Sequence, residues 1–183
     1  AAVTIHEADA LAFDFAALGN RLRIVGNLPY NISTPLLFHL LNYKDHIVDM
    51  HFMLQKEVVD RMAAGPGSKA YGRLGIMLGC HLNIESLFDV DKSAFSPPPE
   101  VTSAIVRLDP LTPNSFDIQD QDLLSKLVTN AFMKRRKTIR NALREFTEIA
   151  DLEAAGIDPI LRPEQISISE YIELSNHLAA SLR

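Results

Sequence analysis

Apolar residues alternate with polar residues in several short stretches of the chain, as in strands with one buried face. The alternation is clearest where Met50, Phe52 and Leu54 are separated by polar positions. The stretches predicted as strands are 3–6, 21–27, 49–55, 83–90 and 102–110. Helical stretches are predicted between them, at 33–41, 56–64 and 71–82. This order of elements predicts an α/β domain, with its last two strands close together at one edge of the sheet.

The pattern changes after a linker with the sequence LDPLTPNS, and the rest of the chain is predicted to be helical. One apolar face recurs at helical spacing and consists of Leu123, Leu124, Leu127, Val128, Ala131 and Phe132. A second helix is predicted to start inside TIRNALREF, and a third follows a capping box of Ser167 and Glu170. We therefore predict two domains, an α/β domain at 1–112 and an all-helical domain at 113–183.

Composition narrows the class of protein. The 183 residues are 47% hydrophobic, which suffices for one core and a small appendage, and the net charge of −5 gives no global sign of a nucleic-acid binder. Cys80 is the single cysteine, so a disulfide framework and a cysteine-based metal site are excluded. No apolar run reaches the roughly 20 residues of a membrane span. We expect a monomeric cytoplasmic protein without a metal, and a chain that begins inside a longer protein.

An amide, a proline and an aromatic ring follow one predicted strand, in the stretch Asn27-Leu28-Pro29-Tyr30. Ligands of open α/β sheets bind beyond the carboxyl ends of strands. The Asn27 amide offers an acceptor and a donor, Pro29 restricts Leu28 to extended geometry, and Tyr30 offers a face for stacking. The Leu28 and Pro29 carbonyls are expected to be further acceptors. The stretch therefore fits a planar ring with an exocyclic amine, although an isolated motif of this kind is more often a turn that closes a strand.

Such a site has a chemical use. The exocyclic nitrogen of adenine is a poor nucleophile because its lone pair is delocalised into the ring. Acceptors on both N–H groups localise that lone pair, so that in-line attack on an electrophilic methyl group becomes feasible without a strong base. Positioning then carries most of the catalysis.

Two further features favour the base-binding interpretation. Phe95 precedes three prolines on a stiff loop and could cover the second face of an extruded base. A core phenylalanine is the alternative. Asp9 lies in an acidic turn and could accept a hydrogen bond from the amine of a nucleotide cofactor. Its alternative is a helix N-cap.

A basic segment lies in the helical tail. Six cations occur without an acid among them: Lys134, Arg135, Arg136, Lys137, Arg140 and Arg144. At helical spacing, Arg136, Arg140 and Arg144 share one face, and Ile139, Leu143 and Phe146 occupy another face that should be buried. A one-sided basic strip suits phosphates, so we predict an RNA contact, with a solvated charged helix as the alternative.

Together these stretches resemble the small-subunit ribosomal RNA adenine dimethyltransferases, the KsgA family. The resemblance spans essentially the whole chain and rests on four stretches in order: GNLPYNISTPLLFHLL, MHFMLQKEVVDRMAAGPGSKAYGRLGIM, FSPPPEVTSAIVRL and FMKRRKTIRNAL. It implies a Rossmann-like class I methyltransferase sheet followed by a small helical domain that docks on the small ribosomal subunit and its rRNA.

The resemblance also implies an activity. Methyl groups would pass from S-adenosylmethionine to N6 of two adjacent adenines near the 3′ end of small-subunit rRNA. The catalytic residues carried over are Asn27, Leu28, Pro29, Tyr30 and Phe95. Those near the cofactor are Asp9, Ala10 and Asn27.

The chain departs from the family in one respect. The family has a glycine-rich cofactor loop after its first strand, and no such loop precedes Asn27. The chain would then be an incomplete portion of the parent enzyme, with its own activity left open. A non-catalytic rRNA-binding assembly factor on the same scaffold is the main alternative. An adenine methyltransferase acting on DNA or large-subunit rRNA is a third.

Overall fold

A computed structural model of the chain describes residues 3–113 and 115–181. The chain forms two compact units, each made from two separate segments. The sheet unit comprises Ala1–Val59 and Asn83–Pro110, and the helical unit comprises Asp60–Leu82 and Leu111–Arg183. The helical unit therefore takes one segment from the first half of the chain. The predicted division near residue 112 does not anticipate this segment, and the domain boundary stays a prediction.

The sheet unit is built on four strands in the order β1-β2-β4-β3. They are β1 (Leu22–Asn27), β2 (Ile47–Gln55), β3 (Leu82–Val90) and β4 (Ser103–Pro110). β1 pairs with β2 in parallel, and β4 pairs with β2 in antiparallel orientation. Four of the predicted strands are thereby confirmed, and so is the proximity of the last two. Helix α1 (Ser33–Leu41) follows β1.

The core of this unit follows from the alternation in β2. Met50, Phe52 and Leu54 are buried, and their register partners on β4 are Leu108, Val106 and Ala104. Each large apolar side chain buried in this way contributes roughly 1.5–3 kcal/mol.

The predicted strand at 3–6 is wrong. Residues 3–7 adopt no regular secondary structure, and Val3 and Ile5 are 87% and 88% exposed. Alternation alone does not make a strand, because backbone N–H and C=O groups need a neighbour to pair with. Within the described part of the chain, no strand of the sheet pairs with this segment.

The helical unit contains most of the helices. They are α2 (Lys56–Ala63), which begins in the sheet unit, α3 (Arg73–Gly79), α4 (Gln121–Met133), α5 (Ile139–Ala142), α6 (Ile149–Ala154) and α7 (Ile168–Ser181). The predicted capping box is confirmed. The Ser167 amide donates to Glu170 Oε2 at 2.7 Å, and the Glu170 amide donates to Ser167 Oγ at 3.2 Å.

Membrane-spanning helices and clusters of metal-binding side chains are both absent from the described residues. No helix among residues 3–113 and 115–181 combines the length and apolar character needed to cross a membrane. The same residues hold no group of three or more His, Cys, Asp or Glu side chains placed to bind a metal ion.

Candidate functional site

The chain makes a tight turn where β1 ends. The Leu28 amide donates to the Met53 carbonyl at 3.3 Å, which extends the pairing with β2 by one residue. The Leu28 side chain is buried, and a Cβ at Gly26 would lie 3.1 Å from its Cδ2 atom. Glycine at position 26 therefore gives Leu28 room to pack against the strand.

Hydrogen bonds then lead the chain into α1. The Ile32 amide donates to the Pro29 carbonyl at 3.2 Å, so one of the two lone pairs of that carbonyl is engaged by the turn. The expected role of the Pro29 carbonyl as an acceptor stays a prediction. The Ser33 hydroxyl donates to the Tyr30 carbonyl at 3.1 Å. Ser33 is itself the first helical residue, and Ile32 precedes the helix without a side-chain cap. These bonds fix the turn that presents Tyr30.

A cavity of about 290 Å³ lies at this turn. It is lined by Asn27, Leu28, Pro29, Tyr30, Met53, Phe95, Pro97, Pro99 and Ser103. The structure thus brings the strand-end motif and Phe95 to one place, and Tyr30 is 45% exposed. A cavity near 300 Å³ is at the small end of ligand pockets and is of the size needed for a nucleobase. The catalytic roles of these residues stay predictions.

The loop that carries Phe95 is held by local hydrogen bonds. The Ser93 amide donates to Asp91 Oδ1 at 2.9 Å, and this bond holds the pKa of the Asp91 carboxyl below its usual value. The Phe95 amide donates to the Lys92 carbonyl at 3.2 Å. Two of the prolines that follow Phe95 line the cavity with it, so the loop forms one wall of the site.

Sequence reasoning missed Met53 and Ser103. Met53 is the register partner of Asn27, and Ser103 is the register partner of Gln55, two residues further along β2. Both residues therefore reach the cavity through strand pairing. No local motif marks them, and only a prediction of the sheet register could have found them.

Asp9 and Ala10 are not among the described residues that line this cavity. Asp9 is exposed, and its Oδ1 atom accepts a hydrogen bond from the Leu11 amide at 2.9 Å. A local turn thus engages one of the two carboxylate oxygens. The predicted cofactor contact stays a prediction.

The helical spacing predicted through the whole basic segment is wrong, whereas the predicted start of a helix inside TIRNALREF is confirmed. α4 ends at Met133, a turn follows, and α5 begins only at Ile139. The Ile139 amide donates to the Leu161 carbonyl at 2.6 Å, and the Ile139 side chain is buried. Leu143 is buried as predicted, but Phe146 is 37% exposed, so its expected burial is wrong.

Acids from elsewhere in the helical unit pair with two of the six cations. Lys134 forms an ion pair with Glu145 at 3.1 Å, which lowers the pKa of that carboxyl. Arg135 Nη2 donates to the Lys69 carbonyl at 2.8 Å, and Arg135 Nε lies 3.5 Å from Glu164 Oε2. The exposed cations are Arg136, Lys137, Arg140 and Arg144. A second cavity of about 430 Å³ is lined by Lys134, Lys137, Asn141 and Arg144.

Comparison with known proteins relates the whole chain to one group of enzymes. A family model described as "Ribosomal RNA adenine dimethylase" matches residues 1–180. The chain is 54% identical over 179 residues to ribosomal RNA small subunit methyltransferase A of Pseudomonas aeruginosa, covering 96% of this chain and 67% of that protein. It is 51% identical over 181 residues to the protein of the same name from Escherichia fergusonii, covering 97% and 66%.

Two solved structures are similar in fold. A dimethyladenosine transferase from Plasmodium falciparum has a TM-score of 0.77 at 24% identity, covering 92% of this chain and 70% of that one. The 23S rRNA methyltransferase ErmE has a TM-score of 0.71 at 21% identity, covering 94% and 70%. These likenesses confirm the predicted Rossmann-like methyltransferase fold. The chain spans about two thirds of the length of the curated relatives that it matches.

Proposed function

Because the chain belongs to the ribosomal RNA adenine dimethylase family, we propose that it carries the target-base site of an rRNA adenine N6-dimethyltransferase. The proposed acceptors are two adjacent adenines near the 3′ end of small-subunit rRNA. The chain spans about two thirds of its relatives' length. Methyl transfer by this chain alone is therefore tested directly, by titration with S-adenosylmethionine and by assay on small-subunit particles.

The observation that supports this proposal is the convergence of Asn27, Tyr30 and Phe95 on one cavity at the end of a parallel strand. The Asn27 side-chain oxygen and the Leu28 carbonyl are the two acceptors for the N6 amine. We assign the second acceptor to Leu28, with the Pro29 carbonyl as the alternative, because one lone pair of the Pro29 carbonyl already accepts from the Ile32 amide. Pro29 contributes by restricting Leu28 to extended geometry.

The faces of the base complete the arrangement. Tyr30 and Phe95 lie on different segments of the cavity wall and would enclose the adenine ring between them. Stacking on aromatic side chains contributes roughly 1–3 kcal/mol per base, which helps to offset extrusion of the base from its helix. Excluding water in this way strengthens the hydrogen bonds that orient the amine.

S-adenosylmethionine supplies the methyl group when it is bound. The residues that would hold it are Asp9, Ala10 and Asn27. Asp9 fits this role chemically, because it is exposed and only its Oδ1 atom accepts from the Leu11 amide. The second carboxylate oxygen is suited to accept from an adenine amine.

The proposed partner is the small ribosomal subunit and its rRNA, met in the cytoplasm by a monomer. Arg136, Lys137 and Arg140 support this proposal, since they are exposed cations in a chain of net charge −5. Neutralised phosphates release counterions, so binding should weaken steeply with salt.

The test is calorimetric titration of S-adenosylmethionine into the unsubstituted chain and into Asn27→Ala, together with methyl transfer to small-subunit particles. Asn42→Ala is the control, because Asn42 is an exposed asparagine just after α1. We expect Asn27→Ala to abolish transfer while RNA binding is retained. A chain that is folded and binds the particles, but shows neither cofactor heat nor transfer, needs the remaining third of the parent sequence. If a version of full family length binds RNA but transfers no methyl group, with or without Asn27→Ala, the protein is a non-catalytic assembly factor.

A further inference from the structure

Ser103 is a buried polar residue in the wall of the proposed base site. It is the first residue of β4 and is 2% exposed. Two contacts with the end of β2 fix its position. Ser103 is the register partner of Gln55, and the Lys56 amide donates to the carbonyl of the preceding residue, Thr102, at 2.9 Å. Ser103 nevertheless lines the cavity that contains Asn27.

Ser103 differs from the other buried polar residues of the described chain. The Ser33 hydroxyl donates to the Tyr30 carbonyl, and the Ser175 hydroxyl donates to the Asp120 carbonyl at 3.5 Å. Asp49 forms an ion pair with Arg23. For Ser103, no residue within 3–113 and 115–181 forms a hydrogen bond with the side-chain hydroxyl. The enclosed side-chain atoms without a partner among the described residues are Tyr71 Oη, Thr138 Oγ1 and Glu164 Oε2, and Ser103 Oγ is not one of them. The Ser103 hydroxyl is therefore open to the cavity and can bond to a bound molecule.

The strand register places Ser103 on the same side of the sheet as Asn27. Asn27 is paired with Met53, and Ser103 is paired with Gln55. Met53 and Gln55 are two residues apart on β2, so their side chains point to the same face. Asn27 and Ser103 therefore flank one end of β2 on a common face.

We propose that the Ser103 hydroxyl donates a hydrogen bond to a ring nitrogen beside the amine of the bound adenine. This inference rests on the proposed function, in which Asn27 and Leu28 hold the amine. The ring nitrogens nearest to that amine are N1 and N7, and both are acceptors. Asn27 and Leu28 supply acceptors for the amine, and the rings of Tyr30 and Phe95 stack on the two faces of the base. A hydrogen-bond donor to a ring nitrogen is the remaining contact, and from Ser103 it would fix the rotation of the base in its own plane.

The test is titration of adenosine, 1-deazaadenosine and 7-deazaadenosine into the ¹⁵N-labelled full chain, followed by NMR. Ser103→Ala is compared with the unsubstituted chain and with Ser175→Ala, a buried serine that does not line the cavity. Ser103→Ala should weaken adenosine binding by about threefold to tenfold, the usual effect of one neutral hydrogen bond. One of the two deaza analogues should bind the unsubstituted chain as weakly as adenosine binds Ser103→Ala, and should be insensitive to that substitution. Ser175→Ala should leave all three affinities unchanged.

Thermal stability separates this role from a structural one. Ser103→Ala should melt at the temperature of the unsubstituted chain, because the hydroxyl that it removes bonds to no residue within 3–113 and 115–181. A lowered melting temperature, unchanged adenosine affinity in Ser103→Ala, or equal sensitivity of both analogues to the substitution would overturn the inference. If adenosine binds and Asn27→Ala abolishes binding while Ser103→Ala does not weaken it, only the role of Ser103 fails. If the unsubstituted chain binds no adenosine, the base site itself is refuted, and Ser103 with it.

Discussion

Arg135 and Arg136 are neighbours in the sequence, but the structure gives them different surroundings. Arg135 Nη2 donates to the Lys69 carbonyl at 2.8 Å, and Arg135 Nε lies 3.5 Å from Glu164 Oε2. Arg136 is exposed. We therefore predict that Arg135→Ala destabilises the helical unit, whereas Arg136→Ala leaves stability unchanged and weakens RNA binding.

The magnitude follows from these contacts. A hydrogen bond from a charged donor contributes about 1.5–3 kcal/mol. The ion pair adds little, because Arg135 Nε and Glu164 Oε2 lie 3.5 Å apart without a hydrogen bond and the Arg135 side chain is 36% exposed. We expect a loss of about 2 kcal/mol. For a chain of this size that corresponds to a fall in melting temperature of about 4–8 °C.

The assay is thermal unfolding followed by circular dichroism, combined with RNA binding at several salt concentrations. Arg136→Ala should melt with the unsubstituted chain and should lower the salt dependence of RNA binding by about one phosphate contact. Equal melting temperatures for Arg135→Ala and the unsubstituted chain would refute the stabilising role of Arg135. Equal destabilisation by both substitutions would refute the distinction between the two arginines.

Two further predictions concern packing and pH. Gly75→Ala should destabilise the chain by about 2 kcal/mol, because its Cβ would lie 2.7 Å from the Arg61 carbonyl oxygen; Gly65→Ala, with open space at its Cβ, is the control in urea denaturation. The Glu148 amide donates a hydrogen bond to Asp151 Oδ2 at 2.8 Å. This bond is the main reason that the pKa of Asp151 lies below its ordinary value of 3.8. The charged carboxylate therefore contributes stability above about pH 4 that is lost as the pH falls through the lowered pKa. Asp151→Asn should destabilise the chain at neutral pH by about 1 kcal/mol and flatten the acid decline, and an unchanged pH profile would contradict this assignment.

Much of the fold could be predicted because its signals are local. The alternation in β2, the apolar face of α4 and the Ser167–Glu170 capping box each act within a few residues, and the structure has all three. Alternation of apolar and polar residues gave a wrong prediction where a strand also needs a neighbouring strand to pair with. The segment at 3–6 alternates like a strand but has no neighbouring strand among the described residues.

The basic segment could not be predicted for a different reason. The pattern of charges predicts helical spacing through residues 134–146. The Ile139 amide instead bonds to the Leu161 carbonyl, more than twenty residues away, and no local pattern reveals such a contact. The site was predictable where one continuous stretch supplies it, at Asn27–Tyr30. Met53 and Ser103 reach the same cavity through pairing across the sheet. Nothing in their own neighbourhoods distinguishes them from ordinary strand residues.

The two-segment construction of the helical unit has a consequence for dissecting the protein. Residues 60–82 belong with the unit whose remainder begins at Leu111. Tyr71 is buried there beside the ring of Phe132, with centroids 6.3 Å apart, and Ile168 approaches Gly79. A fragment cut at residue 112 would leave the apolar residues of 60–82 without the helices that cover them. An isolated sheet unit is therefore better obtained by replacing residues 60–82 with a linker than by truncation at residue 112.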